Sequence, residues 1–468
     1  FSFFGIGGLS EAYFPADEVN PNDIFTDQGF NFELKTQLGL LGLTHKKFLN
    51  KRTYLKTTAS YLIENYDSYR DSVDIVNDTL IPYYSSKEFR QRGGLTLTAN
   101  TKLNNKMTLR SGVLGYLFFF DIRDDDFANN ILVYSSNDIL FQVGGFSQLQ
   151  YKFSSRFILN FGVHAQYFSL NNRSWAVEPR LSLNWYVGKR HHLSFGYGWH
   201  SRMQPLTIAF HVQPNADSLT YNTSNRELGF IRSHHAVLSY NVYLAEDWAL
   251  KSNVYGQFNT NIPINNTPTN FSLINYGAFA EIPYEVNLKD EGIAFNAGIE
   301  LSVEKFFSKG YHGVISGTYF RSQYQGSDGI WRNTSFDVQY IVQLLAGKEF
   351  KIGKQKRNAI TLDLRVNHRG GNPYVPILLE ESIQEGREVR DWDNPYSVRY
   401  DPYTRIDVKI GARFNPRKKK VSHYLFVDLV NVALFNNDLQ ARYNPVTQTI
   451  EKSSQFGLIP NIFYRVQF

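Results

Sequence analysis

Ile360-Thr361-Leu362-Asp363-Leu364-Arg365-Val366-Asn367-His368-Arg369 is the stretch that decides the fold. Ile360, Leu362, Leu364 and Val366 alternate with Thr361, Asp363, Arg365, Asn367 and Arg369. A two-residue period is that of a β-strand, whose successive side chains point to opposite faces. The next periodic segment sets Ile406, Val408, Ile410, Ala412 and Phe414 against Arg405, Asp407, Lys409 and Arg413. Leu181 to Val187, Leu193 to His200 and Gln455 to Phe468 repeat the pattern. Only the acidic piece from Leu378 to Glu385 has helical character.

Working outward, 18 such segments are predicted, centred near residues 5, 40, 58, 95, 113, 147, 163, 181, 196, 239, 254, 298, 317, 342, 362, 408, 427 and 462. Most are long enough to cross a bilayer as tilted strands, which takes about 9–11 residues. The connections sort by parity. Short ones fall at 45–52, 103–106, 153–156, 188–190, 245–247, 306–310, 352–357 and 415–420. Long ones fall at 9–33, 65–86, 122–138, 203–231, 262–290, 372–399 and 436–453, with two shorter exceptions at 171–173 and 325–331. The short turns hold 16 Lys or Arg against 2 acidic residues; the other set holds 28 Asp or Glu against 10 Lys or Arg. A soluble sandwich has no reason to sort loops this way, whereas an outer-membrane barrel has short periplasmic turns and long outer loops.

Composition agrees. The 468 residues include 37 Phe, 30 Tyr and 6 Trp, and aromatics near the short turns suit a girdle at the membrane interface. Phe48, Phe153, Phe157, Tyr186, Phe306, Phe307, Phe350 and Phe414 are expected to form it. The negative mean hydropathy is what alternation of lipid-facing and water-facing residues produces. There is no cysteine, which excludes disulfide scaffolds and thiol chemistry. The net charge of +6 is mild and not gathered on one face, so nucleic acid is not an expected partner. No G-x-S-x-G, H-E-x-x-H or Gly-rich phosphate loop is present, so no enzyme activity is expected.

A charged side chain on the lipid face near the midplane costs about 2–4 kcal/mol. Asp363, Arg365, Asn367, Arg369, Arg405, Asp407, Lys409 and Arg413 are therefore expected to face the lumen, as a lattice of ion pairs or a substrate-contacting ladder. Asp121, Asp124, Asp125 and Asp126 offer four carboxylates that could hold Ca²⁺, although a solvated acidic loop is the more ordinary reading. Neither His191-His192 nor His234-His235 can chelate one ion, since neighbours on a strand diverge. Tyr83, Tyr84, Tyr221, Phe271, Tyr276, Phe279, Tyr374, Trp392 and Tyr396 are candidates for an outer vestibule.

Certain pieces carry a resemblance. Tyr464-Arg465-Val466-Gln467-Phe468 resembles the terminal-Phe signal read by the barrel assembly machinery, with Tyr464 and Phe468 as its marks. Tyr403-Thr404-Arg405-Ile406-Asp407 and Asp428-Leu429-Val430-Asn431-Val432 resemble the closing strands of TonB-dependent receptors. Phe3-Phe4-Gly5-Ile6-Gly7-Gly8, Glu178-Pro179-Arg180, His200-Ser201-Arg202-Met203-Gln204-Pro205-Leu206, Gly347-Lys348-Glu349-Phe350 and Gly370-Gly371-Asn372-Pro373-Tyr374 are similar to Bacteroidota members with an N-terminal carboxypeptidase-regulatory-like domain. The resemblance implies an all-β transmembrane antiparallel barrel of 22 strands filled by a plug. Residues 1–468 would then be a single barrel domain, the C-terminal portion, lacking the plug and four strands. It further implies nutrient uptake (siderophore, oligosaccharide or peptide) across the outer membrane of a Gram-negative bacterium. The implied partners are lipid, the TonB complex, the barrel assembly machinery and a surface lipoprotein. A passive porin-like channel and a scaffold or docking subunit are the alternatives.

Overall fold

The computed structural model describes the chain except residues 17–22, 26–27, 75–78, 215–220, 277–283 and 417–420. Its long strands are β1 (Ser2–Phe14), β2 (Phe30–Phe48), β3 (Thr53–Asp74), β4 (Thr79–Lys102), β5 (Met107–Asp126) and β6 (Ile131–Lys152). They continue with β7 (Phe157–Phe168), β8 (Trp175–Val187), β9 (His191–Arg202), β10 (Ile231–Ala245), β11 (Trp248–Asn265) and β12 (Leu288–Ser308). The last six are β13 (Tyr311–Gln325), β14 (Tyr340–Ile352), β15 (Asn358–Arg369), β16 (Tyr403–Phe414), β17 (Ser422–Val430) and β18 (Ile459–Gln467). Each pairs antiparallel with its sequence neighbour, and the three-residue strand Trp331–Asn333 adds a nineteenth member beside β13. All 18 predicted centres fall inside these strands. The architecture is an antiparallel barrel wall, a meander in which β1 and β18 each pair on one side only among the described residues.

Local chemistry closes the short turns. The Asn50 carboxamide oxygen accepts the N–H groups of Arg52 and Thr53 at 2.8 and 2.9 Å, and Asn104 does the same for Lys106 and Met107. Gly310 and Gly353 sit at φ +85° and +83°, where a Cβ would be strained.

Strand lengths depart from expectation. Residues 65–86 and 122–138 are mostly strand: β3 runs to Asp74, β4 starts at Thr79, β5 ends at Asp126 and β6 starts at Ile131. Likewise β1 reaches Phe14 and β2 begins at Phe30. β4 has 24 residues, while about 9–11 suffice to span a bilayer. The excess stands beyond the apolar band as a tall outer wall. Residues 436–453 also fold, as a hairpin pairing Asp438–Asn444 with Thr449–Ser454.

Register fixes the faces. Leu362 opposes Ile410, Leu364 opposes Val408 and Val366 opposes Ile406, whereas Asp363 opposes Lys409, Arg365 opposes Asp407 and Asn367 opposes Arg405. Apolar side chains left exposed, such as Ile299, Ile315, Leu362 and Ile410, lie on one face. Loop residues Ile274, Thr334 and Phe336 fold over the other, which is the inner face. The aromatic girdle needs correction: Trp185, Trp248, Tyr311, Phe350 and Phe414 share the outer face, but Tyr186 is inner by register and stacks on His192 with 4.4 Å between ring centroids. Phe48 is inner as well, under the Lys46 ammonium.

The outer end is a folded layer. Helix α1 (Leu206–Ala209), not predicted, contributes residues to both of its hydrophobic cores. Ala209 and Phe210 belong to a core with Phe120, Ile122, Phe168 and Phe230; Ile208 belongs to another with Leu228, Ile262, Leu288 and Tyr324. Ile208, Ala209 and Phe210 are fully buried. Full burial of a large apolar side chain stabilises by roughly 1.5–3 kcal/mol, so α1 holds the two cores together. The predicted helical piece is α2 (Leu379–Glu385), ended by Gly386 at φ +66°.

Candidate functional site

The eight charged or polar residues singled out on β15 and β16 occupy one face. Arg405 Nε lies 3.1 Å and Arg365 a longer 3.9 Å from the Asp407 carboxylate, and Asn431 N–H donates to it at 3.0 Å. Asp407 is 4% exposed, so its charge is met by these groups rather than by water. Arg413 pairs with Glu349 at 3.1 Å, and His312 approaches Asp363 at 3.6 Å. The Lys409 ammonium lies 4.5 Å from the Phe426 ring centre, and the Arg369 guanidinium 5.0 Å from that of Tyr403. Asn367 pairs with Arg405 in register. The ladder is thus largely spoken for by its own neighbours, with Arg369 at its outer end.

On the same inner face, β10 to β13 and two loop segments line an open cavity of about 710 Å³. Polar side chains run across its wall: Gln257 lies 3.4 Å from His235, Asn296 donates to Gln257 at 3.3 Å, Ser322 donates to Asn296 at 2.6 Å, and Thr334 donates to Ser322 at 2.8 Å. Glu300 accepts from Asn253 at 3.0 Å. Tyr255, Phe320 and Phe336 supply apolar surface. A second cavity of about 450 Å³ is lined by Asn275, Arg369, Asn372, Tyr400 and Tyr403, and Phe336 lines both. Such volumes fit small ligands, which bind in pockets of about 300–1,000 Å³.

A buried carboxylate on β8 was not singled out. Glu178, 2% exposed, accepts from His164 at 3.0 Å, Gln166 at 2.9 Å, Arg180 at 2.8 Å, and the Ser201 N–H and hydroxyl at 3.0 and 2.5 Å. Glu300 was missed too, although Asn296, Gly298, Glu300, Ser302 and Glu304 alternate with Phe295, Ala297, Ile299, Leu301 and Val303 and so were legible as an inner stripe.

The four aspartates do not converge. Asp124 is buried on the inner face and accepts from the Tyr84 hydroxyl. Asp125 is bound by Arg123 at 2.6 and 2.7 Å, Asp126 holds Asn129, and Asp121 lies on the opposite face from Asp124. Among the described residues, no group of three or more His or carboxylate side chains could hold a metal ion. His234 stacks on Trp199 on the outer face while His235 faces inward, so the pair diverges. The vestibule aromatics are dispersed: Tyr374 stacks on Tyr400 at 4.3 Å, Phe271 lies 5.7 Å from Tyr276, Tyr396 lies 6.2 Å from Tyr324, and Tyr221 and Trp392 are exposed. Tyr83 packs on Phe30, and Phe279 lies outside the described residues.

In the loop layer, burial pushes the His211 imidazole below its ordinary pKa, only partly opposed by its hydrogen bond to the Glu285 carbonyl. At the C-terminus, Tyr464 is outer-facing and hydrogen-bonded to His423 at 2.7 Å, and Phe468 is almost fully exposed.

No family model matches the chain, and no curated protein matches it in sequence. Solved structures match its fold. The ferric yersiniabactin uptake receptor FyuA from Yersinia pestis aligns with a TM-score of 0.61 at 13% identity, over 95% of this chain and 63% of that one. The pyoverdine outer membrane receptor FpvA from Pseudomonas aeruginosa aligns with 0.62 at 12%, over 93% and 62%. The RagAB peptide transporter aligns with 0.59 at 10%, over 86% and 58%. The chain therefore has the transmembrane β-barrel fold of outer-membrane uptake receptors and spans less than two thirds of the length of each of these three.

Proposed function

We propose that this chain is the barrel wall of a TonB-dependent receptor that takes up a nutrient across the outer membrane of a Gram-negative bacterium. The observation that carries this reading is a polar inner wall bearing two cavities roofed by a packed outer loop layer, on the fold of uptake receptors. A passive pore has no need of a folded layer over its mouth. Substrate enters from outside, binds at the upper inner wall, and is released inward when force transmitted through TonB rearranges a plug. Lipid contacts the apolar face, and the barrel assembly machinery reads the end marked by Tyr464 and Phe468. The Bacteroidota type, its regulatory-like domain and a surface lipoprotein partner belong to the same proposal, as does the lumenal lattice on β15 and β16. Catalysis is not part of it.

The test uses the full-length protein in its native membrane. Uptake should stop on deletion of the gene, on loss of TonB, and on collapse of the inner-membrane proton gradient. A large stable conductance in planar bilayers, or uptake indifferent to TonB, would instead assign a passive channel.

A further inference from the structure

We propose that the two upper cavities form one groove for a short peptide with free termini, Glu300 meeting the ammonium end and Arg369 the carboxylate end. This rests on the uptake-receptor reading and names the substrate class of that site.

The two cavities adjoin at Phe336, which lines both, and the consecutive residues Ile274 and Asn275 line one each. Taken together they make an elongated site, which suits an extended chain better than a compact complex. Each cavity holds one charged side chain that its neighbours leave without an ion-pair partner among the described residues. Glu300 accepts a hydrogen bond from Asn253 and has no ion-pair partner among the described residues. Lys251, on the same face, is occupied by Glu304 at 2.5 Å. In the other cavity, Asp401 and Asp438 are both met by Lys452, at 3.1 and 2.7 Å. Arg369 donates to the Asn372 carboxamide and lies over Tyr403, leaving its charge without a carboxylate. A carboxylate at one end and a guanidinium at the other match a zwitterion, each pair forming a charge-assisted hydrogen bond.

Between the ends, Gln257, Asn296, Ser322 and Thr334 present donors and acceptors of the kind that read backbone amides. Phe320 and Phe336 offer apolar surface for side chains. A compact polyanionic ferric complex would meet the Glu300 carboxylate in the larger cavity, where no lysine or arginine lines the wall, and like charges at close range are strongly disfavoured. A neutral oligosaccharide has no use for either charge.

The experiment titrates purified full-length receptor with a pool of random tetrapeptides in four forms: free, N-acetylated, C-amidated and doubly blocked. Free peptides should bind, and each block should weaken binding by about tenfold, as loss of a hydrogen bond between charged groups does. Glu300→Gln should abolish the penalty of N-acetylation alone, and Arg369→Gln that of C-amidation alone. A heat-modifiable gel shift confirms that each variant is folded, and the blocked peptides test the wild type without any substitution. Equal binding of the doubly blocked pool, absence of binding by all four pools, or tighter binding of maltotetraose or a ferric tris-catecholate would overturn the proposal. Peptide binding that follows the termini while uptake ignores TonB would leave the groove standing and remove the transporter reading.

Discussion

Arg405 and Asp407, two residues apart on β16, point to the same face and meet at 3.1 Å, with Asp407 sealed from water and also holding the Asn431 N–H. Removing one member of a buried pair leaves an uncompensated charge or polar group, which costs about 3–5 kcal/mol. Asp407→Ala should therefore lower barrel stability by about 3 kcal/mol. Arg365 is 56% exposed and 3.9 Å from the same carboxylate, so Arg365→Ala should cost no more than about 1 kcal/mol. Urea unfolding in detergent, followed by tryptophan fluorescence, measures both; equal losses would refute the ranking.

Leu364 opposes Ala346 and Val408 on the outer face, while Arg365 opposes Leu345 and Asp407 on the inner face. Leu364→Arg should impair membrane assembly by about 2–4 kcal/mol, the depth-dependent cost of a lipid-facing guanidinium. Arg365→Leu should assemble normally. Comparison of heat-modifiable bands in isolated outer membranes distinguishes them.

Phe210 is completely buried against Phe120 and beneath the Arg226 guanidinium. Phe210→Ala should destabilise the loop layer by roughly 3–5 kcal/mol through the cavity left behind. Protease added to intact cells should then cut near α1 while the strands stay protected. Unchanged cleavage would show that α1 is not what joins the two cores.

His211 is 1% exposed and flanked by Tyr134, Tyr284 and the Glu285 carbonyl. Its folded pKa lies below the ordinary value of about 6.5, so the unfolded loop layer binds the proton more readily. The stabilisation is complete above about pH 6.5 and is lost as pH falls from there toward the depressed folded value. Amide-exchange protection factors around residues 206–212, taken relative to the intrinsic rate at each pH, should fall between pH 7 and pH 5, and His211→Asn should flatten that dependence.

Glu178 gathers three side-chain partners from β7 and β8 and both donors of Ser201 on β9. Glu178→Ala strands those donors at once, and a loss of about 3 kcal/mol is expected from breaking a buried charged network. Glu178→Gln retains acceptor capacity and should lose less in the same unfolding measurement.

The strand centres were legible because each crosses between lipid and water, which imposes alternation. Where β3 to β6 rise beyond the membrane, both faces meet water, and segments such as Glu64 to Arg70 lose the two-residue signal while remaining paired. That is why 65–86 read as loop. Helix α1 has four residues, too few for any period, and its burial depends on Phe120 and Ile262 from distant strands. The charged stripe on β15 and β16 was visible because its neighbours are aliphatic. The groove was less so, since Phe336 and Thr334 come from a connection whose position over β11 and β12 no local pattern encodes.

Phe336 stands at the waist where two compartments adjoin. A single change there to a smaller side chain would widen that waist. Under the proposed groove, the range of ligands it admits is then set by one side chain, independently of the scaffold that crosses the bilayer.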